Sequence, residues 1–128
     1  MPIERIQPQG LPTPPTYCHV VKAGNTLYIA GQTSQNEKGE MVGKGDITAQ
    51  AVQVFENLGK ALTAGGGTWA NIVKTVVYIT DPRFREPVSE VRAKFYQPGK
   101  LPASTLVVVA GLASPDYLLE VEAIAVLD

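Results

Sequence analysis

Glu120 and Glu122, in the run LLEVEAIAVL at 118–127, are the residues whose type and spacing best suit chemistry. A separation of two puts both carboxylates on one face of a strand. A carboxylate inside an otherwise apolar strand is costly to bury without a partner. At the mouth of a cleft, partial burial would raise its pKa and fit it for proton transfer. The competing reading places both at the strand's solvated end, or in ion pairs with Lys74 or Arg92; residue type alone favours it. A second stretch, LPASTLVVVAGLA at 101–113, sets Ser104 and Thr105 before the uncharged run Leu106 to Ala110, with two hydroxyls and no ion. His19, the only histidine, shares strand parity with Tyr17, so the two can face one pocket. A lone strand histidine is more often a satisfied surface or interface residue. Cys18 alternates to the other face and reads as packing rather than nucleophile. A triad drawn through Ser104, His19 and Asp116 has no G-x-S-x-G elbow to support it. One histidine and one cysteine rule out a His-rich or Cys-rich metal site and an internal disulfide. No metal and no cofactor are expected.

These residues need elements to hold them. Tyr17 to Lys22 reads as a strand, Ala23-Gly24-Asn25 as a turn, and Thr26 to Ala30 as the returning strand of a hairpin. Gly31 follows at once, a place for close backbone approach. Residues 33–45 form a polar loop with a short strand near Met41-Val42. Asp46 is a good N-cap, and Ala51, Val54, Phe55, Leu58 and Leu62 mark an amphipathic helix over about 47–64. Gly65-Gly66-Gly67 stops it. The triplet lacks a P-loop lysine and follows a helix rather than preceding one, so it is no phosphate loop. Thr68 caps a short turn. Ile72 to Thr80 is a β-branched strand, broken by Asp81-Pro82. A second helix covers Pro87 to Tyr96, or starts already at Phe84, with Phe84, Val88, Val91 and Phe95 as its apolar stripe. A strand from near Ser104, a loop at 114–116 and a last strand over 118–127 complete the order.

Length and composition narrow the class. The 128 residues suit one domain, 1–128, with one core. Hydrophobic residues make up 45% and charged residues 18%, an ordinary globular mix. Eleven basic and twelve acidic side chains give a net charge of −1 with no Lys/Arg cluster, so no nucleic-acid partner is expected. No apolar stretch is long enough to span a bilayer, so no membrane partner is expected either. Residues 1–16 carry no h-region, and no signal peptide is expected; their prolines favour an extended segment. A reduced, cytoplasmic home fits the lone cysteine.

Strands grouped with two helices predict an α+β fold, a mixed sheet with both helices on one face. From Val121 onward the last strand is apolar at both parities, and Val107-Val108-Val109 and Val76-Val77 are two-sided as well. Such a sheet needs cover on both faces, and two helices cover one. Another copy of the chain is the simplest cover for the second, which predicts a homo-oligomer; the alternative cover is the 31–45 loop with the N-terminal arm.

In order along nearly the whole chain, VVKAGNTLYIAGQ (20–32), preceded by Tyr17, DITAQAVQVFENLGKAL (46–62), VKTVVYITD (73–81), PAST (102–105) and LLEVEAIAV (118–126) resemble the Rid family, also called YjgF or endoribonuclease L-PSP. The resemblance implies a chorismate-mutase-like fold, a homotrimer, and small-molecule ligands held in clefts between subunits. It implies hydrolysis of enamines and imines such as 2-aminoacrylate to ketoacids and ammonia, with Glu120 matching the glutamate that positions water or donates a proton. Tyr17 and Gly31 match the family's site. Four positions depart from it. The arginine that grips the substrate carboxylate is Ser104, the serine before Gly-Gln is Ala30, an asparagine of the second helix is Ser89, and a cysteine is Leu106. Ser104 and Thr105 are expected at the cleft mouth, with His19 or Lys100 as possible replacement cations. A neutral hydroxyl forfeits a charge-assisted bond of roughly 1.5–3 kcal/mol. The chain is therefore expected to be a poor 2-aminoacrylate deaminase.

Three functions remain in play. One is a Rid-like hydrolase of a small enamine or imine, with Glu120 catalytic and Tyr17, His19, Ala30, Gly31, Ser89, Ser104 and Thr105 lining the pocket. The second is a trimer that binds or senses a small molecule without turnover. The third, a nuclease, lacks a basic stripe and a metal cluster.

Overall fold

The computed structural model describes residues 2–128. Its order is β1 (Ile3–Ile6), β2 (Val20–Ala23), β3 (Thr26–Gln32), α1 (Ile47–Ala64), β4 (Ile72–Ile79), α2 (Arg85–Arg92), β5 (Ala103–Val108) and β6 (Leu119–Val126), with single 3₁₀ turns at Trp69–Asn71 and Pro82–Phe84. The strands form one mixed sheet in the order β1-β2-β3-β6-β4-β5. Only the β4–β5 pair is parallel, and α2 is the crossover between those strands.

Side-chain alternation divides the sheet into two faces. Leu119, Val121, Ala123 and Ala125 of β6, Val77 and Ile79 of β4, and Leu27 and Ile29 of β3 are buried in one core with Val54, Phe55, Leu58 and Leu62 of α1 and Val88 and Val91 of α2. Both helices therefore cover the same face, as the 3.6-residue and two-residue periodicities predict. The other face carries Glu120, Glu122, Ile124 and Val126 of β6, with Lys74, Val76 and Tyr78 of β4 and Tyr28 of β3. Tyr28 is 51% exposed, Val126 42% and Val107 39%, so the helix-free face remains apolar and uncovered.

Helix α1 has the expected ends. Asp46 Oδ1 accepts from the Ala49 amide at 3.0 Å. At the other end Gly66 takes φ +86°, while the Gly67 amide donates to Leu62 O and the Gly66 amide to Thr63 O. That is a Schellman closure, and glycine is the residue that adopts the left-handed position without strain.

Three elements differ from expectation. β1 forms where only an extended arm was predicted; Ile3–Ile6 is a proline-free window on the sheet edge, and its exposed side chains leave no alternating signature. β2 begins at Val20 rather than Tyr17, although the Ala30 amide still donates to His19 O at 2.9 Å. α2 spans Arg85–Arg92, starting next to Phe84, the earlier of the two expected starts, and ending short of Tyr96. Asp81 accepts from the Arg83 amide and starts the 3₁₀ turn that leads into the helix. At its far end Phe95 and Tyr96 leave the helix to pack with Phe55 and Trp69, with ring centroids 5.2–6.4 Å apart. Burying aromatic area outweighs another helical turn there. The short strand near Met41 is an isolated bridge to Gln35.

Two buried amides of α1 hold the long loop. Gln50 Nε2 donates to Gly43 O and Asp116 O, and its Oε1 accepts from the Leu118 amide. Asn57 Nδ2 donates to Thr33 O and Gln35 O. Gln50→Leu should cost about 3 kcal/mol in urea unfolding, because it strands several buried backbone groups. It should also raise the exchange rate of the Leu118 amide; an unchanged rate would contradict that role.

Candidate functional site

The site grows from one irregularity. β3 and β6 pair regularly through Ile29↔Ala123, then resume at Gln32↔Val121. Ala30 and Gly31 thus stand opposite Glu122 alone, a β-bulge. Gly31 lies directly against the side chain of Glu120: a Cβ there would overlap its carboxylate and methylenes. The glycine is required for space, and its absent side chain leaves the carboxylate its position.

Across the pair on the other side, Tyr78 stands opposite Glu120 and Val76 opposite Glu122. Tyr78 Oη donates to Glu122 Oε1 at 3.0 Å. That bond, then burial, then the charges of the two glutamates raise the Tyr78 pKa. Burial, and secondly the charge of Glu122, push the Glu120 carboxyl above the ordinary carboxylate range. Neither glutamate forms an ion pair among the described residues. Lys74 Nζ donates instead to Thr105 Oγ1 at 2.8 Å, and Arg92 to Ser104 Oγ at 3.1 Å. Beside Glu122 is a hollow of about 380 Å³ lined by Cys18, Tyr28, Ala30, Lys74, Val76 and Glu122 itself, while Glu120 lies outside its lining.

The predicted site residues fall into three groups. Glu120, Gly31, Ala30 and Thr105 lie along the helix-free side. Ser104, one residue from Thr105, turns to the helix side, where its Oγ accepts from Thr75 Oγ1 at 3.0 Å. There it lines a separate hollow with Ser89. Tyr17 is exposed, its ring 5.9 Å from that of His19 and roughly perpendicular to it. His19 is 5% exposed, with Nε2 2.8 Å from Pro12 O and Nδ1 3.1 Å from Gln32 Nε2. Those partners assign the neutral tautomer, Nε2–H donating to the carbonyl and Nδ1 accepting from the amide. His19 thus pins the N-terminal arm to the sheet. Tyr78 was not singled out from sequence, and Lys74 only as an ion-pair partner for the glutamates. The parity that Lys74 and Tyr78 share with Val76 was readable, but not that β4 pairs with β6. Among the described residues no group of three His, Cys, Asp or Glu could hold a metal ion, and no helix is long and apolar enough to cross a membrane.

The family model for endoribonuclease L-PSP matches residues 9–127. The chain belongs to this family, the Rid or YjgF family. Among its relatives, the 3-aminoacrylate deaminase RutC of Acinetobacter baylyi is 32% identical over 98% of each chain. The 2-iminobutanoate/2-iminopropanoate deaminase of Mus musculus is 34% identical over 86% of this chain and 80% of its own. The crystal structure of yeast Mmf1, a fellow of the same fold, superposes with a TM-score of 0.92 at 30% identity, covering 99% of this chain and 100% of that one. Family membership agrees with the mixed sheet and its two helices on one face.

Two outcomes test the geometry of this Rid-family site. Gly31→Ala should destabilise by about 1–3 kcal/mol in urea, as overpacking does, and should displace Glu120. Because its pKa is raised on folding, Glu120 stabilises the native state fully below the ordinary carboxylate range and loses that contribution as pH rises through its raised value. Glu120→Gln should therefore raise Tm at about pH 8, by about 2 °C for a like-charge pair on one strand face. The gain should vanish near pH 3.5, below the usual glutamate pKa of about 4.3. A gain independent of pH would show that Glu120's ionisation does not carry it.

Proposed function

We propose that this chain is a hydrolase that deaminates a small enamine or imine, working in clefts between the subunits of a homotrimer, with Glu120 as its acid–base group. The observation that carries the reading is Glu120 itself, half-buried against Gly31 with its carboxyl held toward the protonated form. A carboxyl of raised pKa can protonate the imine nitrogen and then, as carboxylate, accept a proton from water as its oxygen attacks the imine carbon. That forms a carbinolamine; its C–N bond breaks, ammonia leaves and a carbonyl remains. Imine and water become ketone and ammonia, with no redox change. Relatives named as deaminases of an aminoacrylate and of imino acids support the substrate class. The uncovered apolar side chains Tyr28, Val107 and Val126 support assembly through the helix-free face.

Serine at 104 puts no guanidinium at that position, so 2-aminoacrylate should be turned over poorly. The same residue favours the second reading, a trimer that binds or senses a small molecule without turnover. Ammonia release from freshly generated imines separates the two. Wild type should exceed Glu120→Gln by about 10²–10⁴-fold, the usual worth of a general acid–base group; equal rates near background would discard the enzyme. Light scattering should give three times the 13.7 kDa of one chain, and a monomer would remove the proposed cleft.

A further inference from the structure

On the helix side of the sheet, where the N-terminal arm meets α1, lies a hollow of about 730 Å³ lined by Ile6, Gln7, Glu56, Lys60, Trp69 and Phe95 among others. Small-molecule sites have volumes of that order. Its wall is aromatic. The ring centroids of Trp69 and Phe95 are 5.2 Å apart, and Phe55 packs against both at 6.3 and 5.6 Å. Gly59 lets the indole lie close on α1, since a Cβ there would stand 3.2 Å from Trp69 Cζ2. Trp69 and Phe95 are nevertheless only half-buried, so ring surface remains for another occupant.

The polar groups of the hollow sort by kind. Its donors are turned to the arm: Lys60 Nζ donates to Gly10 O at 3.2 Å, and Gln7 Nε2 to Pro8 O at 3.1 Å and Leu11 O at 3.0 Å. Its acceptors are free. The Glu56 carboxylate forms no ion pair among the described residues, and the Gln7 amide spends its N–H groups on the arm, leaving its oxygen. Glu56 precedes Lys60 by four on α1, the orientation in which such residues ordinarily pair. Lys60, the one cation in the lining, is held at Gly10 O instead. A free carboxylate beside open aromatic surface complements a cation that carries a ring.

We infer that the hollow between the N-terminal arm and α1 is a binding site for a small aromatic amine in its ammonium form, its ring on Trp69 and Phe95 and its N–H groups on Glu56. The site goes beyond the proposed hydrolase. It lies on the helix side of the sheet and Glu120 on the other, so the two stand or fall separately.

Trp69 is the chain's only tryptophan, so indole fluorescence reads this hollow directly. Phenethylammonium is the probe. Hydrocinnamate reverses its charge, phenethyl alcohol removes the charge and butylammonium removes the ring. Phenethylammonium should change the Trp69 emission and saturate in the millimolar range, and each control should bind more weakly. Glu56→Gln, on the exposed side of α1, should weaken phenethylammonium by about two- to fivefold, the worth of one exposed ion pair, and leave phenethyl alcohol unmoved. Salt at about 0.5 M should narrow the gap between amine and alcohol. In ¹⁵N-labelled protein the amide signals of Glu56, Gly59 and Lys60 should move with the same midpoint. Glu120→Gln should leave the affinity within about twofold even where it abolishes ammonia release, which separates this site from the hydrolase reading. Equal affinity for amine and alcohol, equal affinity in wild type and Glu56→Gln, or shifts centred on Gly31 and Glu120 would overturn the assignment.

Discussion

The two-residue repeat of β6 is the constraint on which everything else rests. Leu119, Val121, Ala123 and Ala125 must meet the helices, so Glu120, Glu122, Ile124 and Val126 must not. A slip of one residue would drive both carboxylates beneath α1 and expose the core side of the strand. Because β6 lies between β3 and β4, two neighbours fix its register at once. The carboxylates are thus placed by the packing of residues that do no chemistry, a rigid support of the kind a precise site requires.

Much of this was legible in the chain. The period of Ala51, Val54, Phe55, Leu58 and Leu62 marked α1 because that helix buries one stripe and exposes the rest. Asp46 and the triple glycine marked its ends through backbone groups that any helix leaves unsatisfied. The two-sided apolar strands correctly signalled a sheet with one face beyond the helices' reach. Gly31 was legible as a place of close approach, though its neighbour was not, since Glu120 lies 89 positions away in sequence.

What escaped reading has physical causes. β1 is an exposed edge, and an edge strand has little burial to write into its side chains. The end of α2 is decided by Trp69 and Phe55, which belong to distant segments. The ion pairs considered for Glu120 and Glu122 did not form, because Lys74 and Arg92 found hydroxyls on β5 instead. Which strands pair, and which way a bulge turns the chain, are properties of the assembled sheet rather than of any local window.

Ser104 and Thr105 are adjacent in the chain yet belong to opposite sides of the molecule, one meeting Thr75 and Arg92, the other Lys74. Within one chain, a substitution at the first therefore acts on the packing between β5 and α2 and one at the second on the carboxylate side, so one short strand serves two surfaces at adjacent positions.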